Sequence, residues 1–142
     1  MLAAVLDPNV LVAAAIAPRG ICGQVLNAAI DRSYSILVSP TLLLELAEVL
    51  ARPKFRRYLT EEEAHRFVAL VGDLAILCPD DPSRTDLTHD PDDDYLVALA
   101  QSTLADYLVS GDQDLLHLGS LEPSVLTPRA FLDLLAATPF GP

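Results

Sequence analysis

The stretch MLAAVLDPNVLVAAA, residues 1–15, decides the fold. Residues 2–6 are a short, continuously apolar run that stops at Asp7 and Pro8. A run of that length, broken by a carboxylate and a proline, predicts a strand buried on both faces. It resembles a secretion signal only superficially, because it lacks a basic start and Asp7 interrupts the apolar segment. Asn9 is placed to cap a short helix to about residue 17, where Pro18-Arg19-Gly20 breaks it.

The same alternation continues outward. Residues 21–32 predict a helix with Ile21, Val25, Leu26 and Ala29 on one face, and residues 35–38 a second short strand. Ser39-Pro40 opens a helix over 41–51, which Pro53 ends. Thr60 and Glu63 have the spacing of a capping box, starting a helix that runs to about Gly72. Residues 74–77 read as a third strand, 79–92 as a loop, and 93–104 as a helix. Residues 107–109 form a fourth strand closing at Ser110-Gly111-Asp112, and 125–126 a short fifth. Pro128 starts a last helix, and residues 137–142 are expected to fray. Short apolar strands alternating with helices predict an α/β fold: a three-layer α/β/α sandwich around a mainly parallel sheet of four or five strands, one domain over residues 1–142.

Composition narrows the function. An apolar window of about 18 residues is absent, which argues against a membrane span and for a cytoplasmic protein. Cys22 and Cys78 stand alone, without the Cys/His spacing of a zinc site, and read as buried thiols. His65, His89 and His117 are scattered. The net charge of −11 repels polyanions at long range unless cations neutralise clustered acids and the bases are gathered. Both conditions hold. Ten acids lie between Asp80 and Asp114, and four of nine bases lie in Arg52-Pro53-Lys54-Phe55-Arg56-Arg57.

In open parallel sheets, sites form beyond the carboxyl ends of the strands. Asp7 follows the first strand and Asp112 the fourth; Glu45 lies on the helix after the second, and Asp93 opens the helix before the fourth. Together they would make an all-oxygen pocket for a hard cation such as Mg²⁺ or Mn²⁺. Such a metal activates water and clamps phosphate for in-line displacement. Each acid also has an ordinary reading. Asp7 and Asp112 suit helix or turn caps, and Asp90-Pro91-Asp92-Asp93-Asp94 suits a helix N-terminus. Glu45 is harder to explain that way, because its neighbours Leu42, Leu43, Leu44, Leu46 and Ala47 are apolar nearly all round; Glu48 is the more natural solvent-facing acid.

These segments resemble the PIN domain family. LAAVLDPNVLVAA is similar to its opening strand and first acid, SPTLLLELAEVLARPKF to its second block, DPDDDYLVALA to its third, DYLVSGDQDLL to its fourth, and VLTPRAFLDLL to its closing strand and helix. The blocks occur in order over nearly the whole chain. The resemblance implies a metal-dependent ribonuclease cleaving RNA phosphodiester bonds with Mg²⁺ or Mn²⁺. It places the catalytic and metal-binding acids at Asp7, Glu45, Asp93 and Asp112. Family spacing favours Asp93 over Asp94, and Asp114 is a further candidate ligand. Asn9 and Ser110 match polar positions that orient the acids. The nearest subgroup is that of bacterial VapC-like toxins, which implies a cognate antitoxin partner and a homodimer, with Ala64, Phe67, Val68 and Val71 as a spare apolar face. One departure is Pro8, where the family has Thr or Ser; it removes a hydroxyl and a backbone N–H beside Asp7.

Arg52, Lys54, Arg56 and Arg57 follow the helix that carries Glu45, and are placed to hold RNA phosphates. The plainer alternative is a solvated helix end whose cations complement the dipole. Two other functions compete with the nuclease. A PIN-like module that has lost efficient chemistry and works through protein partners is favoured by Pro8 and opposed by the retained acids. A phosphoacceptor receiver also gathers acids at strand ends, but it needs a lysine late in the sheet, and Lys54 lies mid-chain.

Overall fold

The computed structural model describes residues 1–84, 87, 88, 93–118 and 122–137. Five strands, β1 (Ala3–Leu6), β2 (Ser35–Val38), β3 (Ile76–Leu77), β4 (Tyr107–Val109) and β5 (Ser124–Leu126), form one sheet in the order β3-β2-β1-β4-β5. Every pairing is parallel. Helices α1 (Pro8–Ile16), α2 (Ile21–Ile30), α3 (Pro40–Leu50), α4 (Glu61–Leu74), α5 (Asp94–Ser102), α6 (Gln113–Leu116) and α7 (Pro128–Ala137) flank it. This is the three-layer α/β/α arrangement that the short apolar strands imply.

The strand order locates the site. The chain begins in the middle of the sheet, builds outward through β2 and β3 to one edge, then returns to β1's other side as β4. The order therefore reverses between β1 and β4, the switch point where parallel sheets open a crevice at their carboxyl ends. Ala4, Val5 and Leu6 pair with Tyr107, Leu108 and Val109. The Asp7 N–H extends that ladder by donating to the Val109 carbonyl at 2.9 Å.

Burial explains why these segments take these forms. Val5, Leu6, Val38, Leu108 and Val109 are fully buried, as are Leu11, Leu42, Leu46 and Leu50 on the helices. Each such side chain contributes about 1.5–3 kcal/mol of transfer free energy. Tyr34 stands edge-on to Phe131 at 4.8 Å, and its hydroxyl donates to the Val25 carbonyl at 2.8 Å, so the ring is buried without an orphaned polar tip. Gly23 lets α2 lie against the α1–α2 turn, since a Cβ there would stand 2.0 Å from the Pro18 carbonyl oxygen.

Several local expectations need correction. Asp7, not Asn9, is the N-cap of α1; Asn9 is the donor, and Pro8 takes the first helical position, where no intrahelical N–H is needed. Pro53 does not merely end α3. It begins a 3-10 turn, Pro53–Arg57, because α3 has already stopped at Leu50. The acid-rich turn after β4 winds into the short α6. The Thr60–Glu63 capping box is present, with both hydrogen bonds made. Residues 79–84, 87 and 88 of the expected loop carry no helix or strand; its remaining residues, with His89, lie outside the described ones, as do 138–142. The apolar face of α4 is not spare: Ala64 and Val71 are buried, and Phe67 and Val68 pack against the core. Both cysteines are free thiols. Among the described residues no single helix is long and apolar enough to cross a membrane.

Candidate active site at the β1–β4 crevice

Asp7 leaves β1 and turns the chain into α1. It is only 5% exposed. One carboxylate oxygen, Oδ1, accepts the Asn9 N–H at 2.9 Å, and the other, Oδ2, accepts the Ser110 hydroxyl at 2.8 Å. Ser110 leaves β4 and is fully buried. Its Oγ also accepts the Asp112 N–H at 3.0 Å. One serine thus ties the first acid to the backbone that carries the last. Asp112 in turn caps α6 by accepting the Asp114 N–H at 2.9 Å. Both acids thus make the caps that their positions suggested. The caps hold Asp7 and Asp112 where the two strand ends meet.

Glu45, half-buried on α3, is reached from α5. The Tyr95 hydroxyl donates to Glu45 Oε2. Burial pushes the Tyr95 hydroxyl well above the ordinary phenol range, and the hydrogen bond to Glu45 and the charges of Glu45, Asp7 and Asp93 push it further. Three carboxylates from three elements therefore act on one hydroxyl. Asp7 is itself raised above the usual carboxylate range, first by burial; Asn9 and Ser110 oppose the shift, and the charge of Asp112 adds to it. Crowding of carboxylates is real but secondary to desolvation.

Asp93 is the residue before α5, and its charge reaches Tyr95. Asp94 turns elsewhere: its Oδ1 accepts the Thr88 N–H at 2.8 Å and the Thr88 hydroxyl at 2.7 Å, pinning the preceding loop. Asp114 presents its N–H to Asp112 while its side chain is exposed. Asn9 is also exposed and acts on Asp7 through its backbone. Of the basic stretch, Arg52, Lys54 and Arg57 are exposed, whereas Arg56 folds back, its Nη2 donating to the Leu50 carbonyl.

Among the described residues, no three His, Cys, Asp or Glu side chains stand close enough to hold a metal ion as they are. Ser110 instead joins the Asp7 carboxylate to the Asp112 backbone N–H, and the Tyr95 hydroxyl donates to Glu45 with the charges of Asp7 and Asp93 nearby. The donors are all oxygens, which fits Mg²⁺ or Mn²⁺, and Asp7 is a buried charge that a cation would offset. Tyr95 was not singled out by sequence reasoning. Its signal was a phenol two residues after Asp93 in a buried helix, where the hydroxyl needs an acceptor.

Residues 3–114 match the PIN domain family. The chain belongs to that family. PIN domains are generally nucleases that use divalent metals, and the span matched includes Asp7, Glu45, Asp93 and Asp112. The chain is also similar to the uncharacterized protein MJ1680 of Methanocaldococcus jannaschii, 25% identical over 138 residues, covering 91% of this chain and 88% of that protein. Its fold is similar to the crystal structure of PAE2754 from Pyrobaculum aerophilum, with a TM-score of 0.65 at 18% identity, over 96% of this chain and 90% of that one.

Proposed function

We propose that this PIN domain is a metal-dependent endoribonuclease whose metal is held by Asp7, Glu45, Asp93 and Asp112. The observation that carries the reading is the arrangement at the switch point, where Ser110 joins the buried Asp7 carboxylate to the Asp112 backbone, and Tyr95, bonded to Glu45, lies within reach of the charges of Asp7 and Asp93. A divalent cation, when bound, supplies a nucleophilic water at neutral pH and positive charge beside the scissile phosphate. The protein's own share is positional. Ser110 fixes one oxygen of Asp7, and Asn9 fixes the other, so the carboxylate cannot rotate. Tyr95 holds Glu45 toward the crevice. Exposed Arg52, Lys54 and Arg57 offer phosphate contacts along the approach from α3.

Cleavage of labelled single-stranded RNA tests this: activity with Mg²⁺ or Mn²⁺, none with EDTA, and none for Asp7→Asn or Asp112→Asn. The biological setting we propose is the toxin of a toxin–antitoxin pair, acting in the cytoplasm as a homodimer. That part rests on the sequence resemblance to VapC-like toxins. Growth arrest on induced expression, relieved by a neighbouring reading frame, tests the toxin role, and light scattering tests the dimer.

A non-catalytic interaction module is the second reading, favoured by the acids not being gathered in a ready cluster among the described residues. Pro8 supports it less than the sequence suggests. Proline is well accommodated at the first position of α1, so only the hydroxyl of the usual residue is lost. Metal titration separates the two readings: no binding at millimolar Mg²⁺ or Mn²⁺ would favour the module.

A further inference from the structure

Among the described residues no three acids stand close enough to share an ion, so a side chain has to move before a cation is gripped. The bonding pattern says which one. Asp7 is 5% exposed, and its two oxygens are engaged by the Asn9 N–H at 2.9 Å and the Ser110 hydroxyl at 2.8 Å. Asp112 has its N–H on Ser110 Oγ and its Oδ1 on the Asp114 N–H. Both follow the ends of neighbouring strands in the middle of the sheet, so neither travels without disturbing a cap or the β1–β4 ladder. Glu45 is different. It projects from α3 on a long flexible side chain, half-buried, and Oε2 is held by the Tyr95 hydroxyl.

The donor in that bond is the fixed partner. Tyr95 lies in the first turn of α5, whose Leu96, Val97, Leu99 and Ala100 are buried. Its hydroxyl also stands within the field of Asp7 and Asp93. The positive end of the O–H dipole therefore sits where the carboxylate fields overlap, as a weak stand-in for a cation. Glu45 Oε2 cannot be carried to Asp7 while Tyr95 keeps it.

We infer that Tyr95 is a latch on Glu45: in the metal-free protein its hydroxyl holds the carboxylate short of the other acids, and a divalent cation is gripped only when Glu45 leaves it. The inference rests on the ribonuclease reading for the cation and concerns how that site is loaded. Two consequences follow for Tyr95. It competes with the cation for Glu45, and so lowers metal affinity. Once released, its O–H, protonated at neutral pH like any phenol, is free to donate to an oxygen of the scissile phosphate. Tyr95→Phe should therefore bind the metal more tightly and yet cleave RNA more slowly. A residue that merely braced Glu45 would lower both when removed.

The chain has four tyrosines and no tryptophan, so its ultraviolet emission reports tyrosine alone. A phenol hydrogen-bonded to a carboxylate emits weakly, because the excited hydroxyl passes its proton to the acceptor. Mg²⁺, which does not itself quench, is titrated into the protein without RNA, with binding heat and tyrosine emission followed in parallel. Wild-type emission should rise with the same midpoint as the heat. Tyr95→Phe keeps the ring, and should bind Mg²⁺ with no change in emission and a dissociation constant about tenfold lower, the equivalent of one hydrogen bond to a charged group. The inference is overturned if Mg²⁺ binds the wild type without changing its emission, or if Tyr95→Phe binds no more tightly than wild type; either result leaves the nuclease reading standing. Absence of Mg²⁺ binding to both proteins also overturns the latch, and RNA cleavage with Mg²⁺, Mn²⁺ and EDTA then decides the nuclease reading by itself.

Discussion

Replacing Asp7 by Asn should separate the fold from the chemistry. Asn keeps an oxygen to accept the Asn9 N–H, and Asn caps helices as well as Asp does, so α1 keeps its start. The amide puts an NH2 where Asp7 Oδ2 accepted the Ser110 hydroxyl, so that contact must reverse, with the amide donating to Ser110 Oγ in a neutral bond, a loss of about 1 kcal/mol. Against that, a buried negative charge next to Asp112 is removed, and burial is the largest influence on Asp7. The two effects are of similar size and opposite sign, so the metal-free melting temperature should move by no more than about 3 °C, or about 1 kcal/mol. Asp7→Ala removes the cap and orphans the Ser110 hydroxyl, and should cost about 2–3 kcal/mol. The pH dependence has a definite sign. Asp7's folded pKa lies above its unfolded value of 3.8, so the folded state binds more protons there. Its ionisation therefore removes stability as pH rises from about 3.8 through the folded pKa, and Asp7→Asn should flatten that part of the profile. Thermal melts of both variants across pH, with and without Mn²⁺, provide the assay. If Asp7→Asn melted as low as Asp7→Ala, or kept a metal-induced rise equal to wild type, the reasoning about this carboxylate would be wrong.

Tyr95→Phe keeps the ring in the core and removes only the donor to Glu45; RNA cleavage should fall about tenfold, with a stability loss near 1 kcal/mol. Equal cleavage rates would show that Glu45 needs no such anchor. Ser110→Ala leaves an Asp7 oxygen and the Asp112 N–H short of a partner, and denaturant melts should show a loss of about 2–3 kcal/mol. Leu104 is 87% exposed with φ of 55°, a left-handed residue just past α5, so Leu104→Gly should stabilise by about 1 kcal/mol in the same melts. Gly23→Ala drives a methyl into the Pro18 carbonyl and should cost more than about 3 kcal/mol, read as loss of folded protein on circular dichroism.

The layered fold was legible because its strands are too short and too uniformly apolar to be anything but buried on both faces. Residues 2–6 and 107–109 carry that pattern, and they became the paired strands that frame the crevice. Asp7 and Asp112 were legible as the polar residues that follow those strands. What sequence could not supply was the joinery. The resemblance names Ser110 as an orienting residue, but its joining of the Asp7 carboxylate to the Asp112 N–H follows only because β1 and β4 are neighbours, a fact of strand order rather than of local pattern. Tyr95 carried no local signal of its role, because that role depends on Glu45 arriving from a helix 50 residues earlier. The basic stretch was read as a set of equivalent phosphate contacts. Its split into three exposed cations and one folded back onto the Leu50 carbonyl follows from the 3-10 turn, which propensity did not signal.

The most direct test of the account is cleavage of an end-labelled single-stranded RNA by wild type and Asp7→Asn, each with Mg²⁺, with Mn²⁺ and with EDTA. The account predicts discrete cleavage by wild type in either metal, none in EDTA, and none by Asp7→Asn under any condition although the variant remains folded. Cleavage by Asp7→Asn at the wild-type rate, or by wild type in EDTA, would contradict it.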